Sequence, residues 1–132
     1  MAENQLIIYV EDEPEMTELV ELILSREGYD FIGAQGGEEG LKLIRENRPD
    51  LILLDLMMPD MDGWEVYQKL QADDETNKIP VIVVTAKAQS IDKVLGLHIA
   101  KVDDYITKPF KPGELTERIK QVLNKERNLS ST

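Results

Sequence analysis

Short apolar runs that alternate with helical periodicity most constrain how this chain can fold. The runs over 6–10, 51–54 and 81–84 contain only large aliphatic residues and one tyrosine. They are too short to cross a membrane and are typical of strands that are covered on both faces. Two weaker strands are predicted over 29–33 and 105–107.

Each predicted strand is connected to the next by a segment with apolar residues at helical spacing. The marker residues are Met16, Leu19, Val20, Ile23 and Leu24; Leu41 and Ile44; Trp64, Tyr67 and Leu70; and Leu115, Ile119, Val122 and Leu123, with a fourth helix expected from about Ser90. Parallel strands need such crossovers, so the pattern predicts an α/β fold, a parallel sheet with helices on both faces. We expect one domain over residues 1–126, with a last helix that ends near Lys125 and a short polar tail over 127–132.

Composition narrows the classes of function. The chain has 132 residues, 42% of them hydrophobic, which suits one compact domain. Its formal charge of −11 disfavours direct binding to nucleic acid and suits a basic protein partner or a cation. The absence of cysteine excludes thiolate chemistry, and the first residues lack the pattern of a signal peptide. We therefore expect a cytoplasmic protein that does not enter a membrane.

Polar side chains stand where the predicted strands end. Glu11 and Asp12 follow the first strand, Asp55 ends the next strong strand, Thr85 ends the third, and Lys108 follows the last. The carboxyl ends of parallel strands meet at one edge of the sheet, where open α/β folds bind their ligands. Carboxylates that converge there repel one another unless a proton or cation intervenes, and oxygen ligands favour magnesium.

The remaining polar groups suit phosphoryl transfer to a carboxylate. Lys108 is expected to pair with Asp55 in the empty site and with a phosphate oxygen in the filled one. The hydroxyl of Thr85 could donate to the same oxygen. Such a transfer needs alignment and charge compensation more than covalent help from the protein.

Four motifs in this order resemble the receiver domains of bacterial two-component response regulators. They are Val10-Glu11-Asp12-Glu13-Pro14, Leu53-Leu54-Asp55-Leu56-Met57-Met58-Pro59 with Asp62-Gly63, Thr85-Ala86, and Asp104-Tyr105-Ile106-Thr107-Lys108-Pro109-Phe110. The resemblance covers roughly residues 5–125. It implies a doubly wound, flavodoxin-like (βα)5 fold with strand order 2-1-3-4-5.

The resemblance also implies a role for each matching acidic residue. Asp55 would accept a phosphoryl group from a sensor histidine kinase, a phosphotransfer protein or a small phosphodonor. Asp12 and Asp55 would bind Mg²⁺ directly, together with the backbone carbonyl of Met57, and Glu11 would bind it through water.

The other matching residues would contact phosphate or respond to it. Thr85 and Lys108 would contact the phosphoryl group, and Tyr105 would be an aromatic switch that moves inward when Thr85 engages phosphate. The Lys108–Pro109 bond is expected to be cis. Met57 and Lys87 would flank the site, at positions that in this family influence the access of the attacking water. An apolar Met57 cannot orient that water by a hydrogen bond, so slow self-dephosphorylation is expected.

Structural explanations compete at several positions. Asp55 could cap a turn, Thr85 could merely favour a strand, and Tyr105 could be a half-buried aromatic on an edge strand. Asp60 and Asp62 are expected to serve the turn before the third helix.

The resulting hypothesis is a stand-alone phosphoacceptor that catalyses only its own phosphorylation and dephosphorylation. An unknown downstream protein would read its surface, and the chain would be a monomer or a weak homodimer, with Lys93, Asp103, Asp104 and Arg118 as candidate charge pairs across the dimer. The alternatives are a receiver-like scaffold that is never phosphorylated, a magnesium-dependent phosphohydrolase and a flavodoxin-like cofactor binder. Against a phosphohydrolase, the chain has no second acid two residues after Asp55. Against a cofactor binder, it has no phosphate loop after the first strand.

Overall fold

A five-stranded parallel sheet forms the centre of the molecule. The structure is a computed structural model that describes residues 4–86 and 102–131, with side chains of the final helix described as far as residue 125. The strands are β1 (Leu6–Val10), β2 (Asp30–Ala34), β3 (Leu51–Asp55), β4 (Val81–Ala86) and β5 (Asp104–Lys108). Their order is β2-β1-β3-β4-β5, and every neighbouring pair is parallel. The predicted fold class and strand order are confirmed.

The described helices are α1 (Pro14–Arg26), α2 (Gly37–Asn47), α3 (Gly63–Ala72) and α4 (Pro112–Ser131). The predicted end of the last helix near Lys125 is wrong, because the helix continues to Ser131 through a segment that contains no proline or glycine. The helix predicted from about Ser90 lies outside the described residues, as do Lys87 and Lys93. Among the described helices, none is both long and apolar enough to span a bilayer.

The strands are covered on both faces, as their continuous apolar runs predict. One buried cluster joins the sheet to α1 and α4 and includes Tyr9, Leu24 and Ile119. A second cluster on the opposite face joins the sheet to α2 and α3 and includes Ile44 and Leu70. Helices on both faces leave the carboxyl end of the sheet as the place for a ligand.

The loop between β3 and α3 is fixed at two points by carboxylates. Asp62 caps α3, accepting a hydrogen bond from the backbone N–H of Trp64 at 2.8 Å, as predicted. Asp60 has a different role from the predicted one, because it accepts from the N–H of Gly37 at 3.0 Å, in the first turn of α2. The residue before α2 is Gly36, which has no side chain to cap that helix. Asp60 therefore supplies the cap from a distant loop and ties this loop to α2.

Three of the four charged residues considered for a dimer contact, Asp103, Asp104 and Arg118, are engaged within the chain. Arg118 donates to Asp104 at 2.8 Å, and Asp103 accepts from the backbone N–H of Val81 at 2.8 Å. Lys93 lies outside the described residues. These contacts join α4 and β4 to the start of β5, so the described members of the set already have partners without a second chain.

Candidate functional site

Three carboxylates meet at the carboxyl end of the sheet. Val10 pairs with Leu54 across β1 and β3, so the residues that follow them, Glu11 and Asp55, stand side by side. With Asp12 they form a group whose ligand oxygens all lie within 4.8 Å of one another. The predicted convergence of these carboxylates is present in the structure.

The ammonium of Lys108 enters this group from β5. Its Nζ lies 2.7 Å from Oε1 of Glu11, 3.8 Å from Oδ2 of Asp55 and 3.9 Å from Oε1 of Glu13. Only the contact with Glu11 has hydrogen-bond length. The predicted ion pair with Asp55 exists, but the closest partner of Lys108 is Glu11.

Glu11 is completely buried and makes several hydrogen bonds. Its Oε1 accepts from the Tyr9 hydroxyl at 2.7 Å as well as from Lys108, and its Oε2 accepts from the N–H of Glu13 at 3.3 Å. Burial alone would raise the pKa of Glu11, but hydrogen bonds with Asp55, Lys108 and Tyr9 outweigh it and lower the pKa. Glu11 is therefore held as a carboxylate.

Asp55 has the opposite electrostatic behaviour. It is 1% exposed, and its Oδ1 accepts a hydrogen bond from the backbone N–H of Met57 at 3.1 Å. Burial first and the hydrogen bond with Glu11 second raise the pKa of Asp55 to about 7. Burial and Glu11 also raise the pKa of Asp12. The site thus favours a proton or a cation, because two carboxylates resist carrying their charges side by side.

Magnesium fits this donor set. The group offers three carboxylates, which are hard oxygen ligands, and among the described residues Lys108 supplies an ammonium in partial compensation. Mg²⁺ in proteins typically binds through a few carboxylates and retains several waters. The assignment of Asp12 and Asp55 as direct ligands stays a prediction.

A family comparison identifies the class of protein to which this fold belongs. Residues 7–120 match the family model described as the response regulator receiver domain. The chain belongs to the response regulator receiver family. Receiver domains are signalling modules of two-component systems, and the acidic group of Glu11, Asp12 and Asp55 fits the magnesium and phosphoaspartate site of such a domain.

Similar proteins include longer regulators. This receiver domain is 43% identical over 122 residues to the alkaline phosphatase synthesis transcriptional regulatory protein PhoP of Bacillus subtilis, covering 92% of this chain and 50% of that protein. It is 42% identical to the DNA-binding response regulator MtrA of Mycobacterium tuberculosis, covering 92% of this chain and 52% of that protein. The chain therefore spans about half the length of these curated relatives.

Solved structures of receiver domains superimpose closely. A response regulator receiver domain protein (CheY-like) from Methanospirillum hungatei has a TM-score of 0.88 at 31% identity, covering 96% of this chain and 98% of that one. The receiver domain of a sensor histidine kinase from Pseudomonas aeruginosa has a TM-score of 0.83 at 30% identity, covering 92% and 99%, and is described with a magnesium ion coordinated in its active-site cleft.

The other predicted residues of the receiver site lie on β4, on β5 and in the loop after β3. Thr85 is buried in β4, one residue beyond Val84, which pairs with Asp55. Tyr105 lies on the edge strand β5 and is 39% exposed, and the Met57 side chain is 50% exposed. The predicted cis bond before Pro109 is present. The roles of Thr85, Tyr105 and the Met57 carbonyl stay predictions.

A glycine holds the loop after Asp55 against α3. A Cβ at Gly63 would overlap the backbone carbonyl oxygen of Asp55 and lie 2.6 Å from Cα of Leu56. The N–H of Gly63 also donates to the Leu56 carbonyl at 3.1 Å. Only glycine allows this close approach, which fixes the course of the loop that carries Met57.

The sequence reasoning overlooked Tyr9 as a member of the site. A tyrosine inside a fully buried run must find a partner for its hydroxyl, and alternation along β1 puts Tyr9 on the same face as Glu11. Those two facts could have predicted the 2.7 Å hydrogen bond between them.

Proposed function

We propose that this receiver domain accepts a phosphoryl group on Asp55 from a sensor histidine kinase or a phosphotransfer protein, in a magnesium-dependent reaction. The observation that carries the proposal is the buried Asp55 carboxylate between the carboxylates of Glu11 and Asp12, with the Lys108 ammonium 3.8 Å away. A structural cap would not need two further carboxylates and a mostly buried ammonium around it.

Asp55 acts as the nucleophile in this proposal. A carboxylate oxygen attacks phosphorus, the bond from phosphorus to the donor nitrogen or oxygen breaks, and the leaving group departs with that electron pair. The product is an acyl phosphate on Asp55. Lys108 and Thr85 compensate charge on the transferred oxygens, and Glu11 holds Lys108 in reach.

Asp12, Asp55 and the Met57 carbonyl are the residues that would hold Mg²⁺, with Glu11 acting through water. A bound cation would neutralise charge on the phosphoryl oxygens and favour the ionised form of Asp55. The raised pKa of Asp55 supports this requirement, because near neutral pH part of the population would otherwise carry a proton on the nucleophile.

The output of the domain is a change of surface that another protein reads. The phosphoryl group adds roughly two negative charges. Thr85 then moves toward the phosphoryl group and Tyr105 moves inward from its exposed position on β5. A partner that binds the phosphorylated form better shifts the population by its differential affinity. The acidic composition favours a protein partner over nucleic acid for these residues. We propose that the domain acts in the cytoplasm, as a monomer or a weak homodimer.

Intact mass after incubation with acetyl phosphate and Mg²⁺ tests the proposal. Wild type should gain one phosphoryl group, and Asp55→Asn should gain none. Asp62→Asn is the matched control, because it makes the same substitution in the loop that follows and keeps a side chain able to cap α3. Equal labelling of wild type and Asp55→Asn, or labelling of neither, would exclude Asp55 as the acceptor.

A further inference from the structure

Two donors of different mobility share one oxygen of Glu11. The Tyr9 hydroxyl and Lys108 Nζ each lie 2.7 Å from Oε1. The Tyr9 ring is completely buried in the core cluster that faces α1 and α4, so it cannot follow a change in the pocket. The Lys108 side chain is 16% exposed and reaches the pocket through a flexible stem.

A phosphoryl group on Asp55 would compete with Glu11 for the ammonium of Lys108. In the present arrangement its ammonium is 2.7 Å from Glu11 and 3.8 Å from Asp55. A shift of the ammonium toward a phosphoryl group on Asp55 would weaken its contact with Glu11, whose carboxylate is completely buried. A buried carboxylate oxygen that loses its donors is costly, which would hold Lys108 in its present place.

We propose that Tyr9 is a positioning residue which keeps Glu11 satisfied when Lys108 turns to the phosphoryl group. Because the Tyr9 hydroxyl stays on Oε1 throughout, the ammonium can transfer without leaving this oxygen bare. The proposal rests on the proposed function, and it assigns Tyr9 no contact with the phosphoryl group itself.

The chemistry of Tyr9 suits a permanent donor. Burial first, and then the charge of Glu11, raises the pKa of the Tyr9 hydroxyl far above its ordinary value. An ordinary phenol titrates at about pH 10, so the hydroxyl is a donor at neutral pH. Its ring is fixed in the core, so the donor occupies the same place before and after phosphorylation.

The test compares two affinities in Tyr9→Phe, a substitution that removes the hydroxyl and keeps the ring. Mg²⁺ binding and beryllium trifluoride binding at saturating Mg²⁺ can both be titrated through the fluorescence of Trp64, the single tryptophan of the chain. In this proposal Mg²⁺ alone would leave Lys108 on Glu11, so the Mg²⁺ affinity of Tyr9→Phe should differ from that of wild type by less than threefold. Beryllium trifluoride imitates the phosphoryl group and draws Lys108 away, so its affinity should fall about tenfold, which is the lower end of the effect of losing a hydrogen bond to a charged group.

Tyr29→Phe is the matched control, because Tyr29 is packed against the same core cluster. It should leave both affinities within twofold of wild type. If Tyr9→Phe binds beryllium trifluoride as wild type does, or if both affinities fall by the same factor, Tyr9 has no part in releasing Lys108. Failure of wild type itself to bind beryllium trifluoride with Mg²⁺ would instead contradict the proposed function.

Discussion

Asp55→Asn should stabilise the metal-free receiver domain above pH 7, although it removes the residue on which the proposed function depends. The folded pKa of Asp55 is raised to about 7 by burial and by Glu11, whereas an unfolded aspartate titrates near 3.9. The folded state therefore binds a proton more tightly than the unfolded state does. The contribution of Asp55 to the free energy of unfolding is fully present below the unfolded pKa and is lost as the pH rises through about 7.

The size of the effect follows from the gap between the two pKa values. A gap of about 3 pH units, at roughly 1.4 kcal/mol each, gives an upper limit of about 4 kcal/mol above pH 7. An asparagine at this position keeps an oxygen for the Met57 N–H but buries an amide that also needs partners. We therefore expect a net gain of about 1–3 kcal/mol in the free energy of unfolding.

Urea unfolding in EDTA, followed by Trp64 fluorescence, measures this gain. Asp55→Asn should be more stable than wild type at about pH 8, and the difference should shrink at about pH 5, where wild type recovers its proton. Asp62→Asn should stay within about 0.5 kcal/mol of wild type at both pH values. A destabilised Asp55→Asn at pH 8, or a difference that does not change with pH, would refute the electrostatic account of the pocket.

Three further predictions concern the surroundings of this carboxylate. Lys108→Met should lower the free energy of unfolding in EDTA by about 2–4 kcal/mol, because it leaves the buried Glu11 carboxylate without its ammonium; an unchanged urea midpoint would contradict this. Gly63→Ala should lower the free energy of unfolding by more than about 2 kcal/mol and weaken Mg²⁺ binding, because the added Cβ displaces the loop after β3. Gly113→Ala, whose Cβ would meet nothing within 4 Å, should stay within about 1 kcal/mol of wild type. Similar urea midpoints for the two variants would refute the packing argument. Met57→Asn should shorten the lifetime of the phosphorylated form, measured as loss of the added mass in Mg²⁺ buffer, because an amide can orient the attacking water; an unchanged or longer lifetime would remove the reason given for slow self-dephosphorylation.

The strong strands and the acidic group could be predicted because each depends on a local rule. Buried parallel strands require continuous apolar runs, and the ends of such strands meet at one edge, so Glu11 and Asp55 could be placed together before any coordinates. The end of α4 does not follow from polarity, because the polar residues after Lys125 include no proline or glycine and the helix continues through them.

Contacts between distant segments could not be derived from those rules. Asp60 reaches the first turn of α2 only because Gly36 leaves that turn uncapped, and a distance of 23 residues along the chain separates Asp60 from Gly37. The ammonium of Lys108 lies about 1 Å closer to Glu11 than to Asp55, and no sequence pattern specifies so small a difference in distance.

A crystal structure with Mg²⁺ and beryllium trifluoride tests the central claim most directly, because it locates the acceptor and the cation at once. We predict beryllium bonded to a carboxylate oxygen of Asp55, Mg²⁺ bound by Asp12, Asp55 and the Met57 carbonyl, and Thr85 and Lys108 on the fluorides. Beryllium on another carboxylate, or Mg²⁺ away from Asp12 and Asp55, would contradict the account.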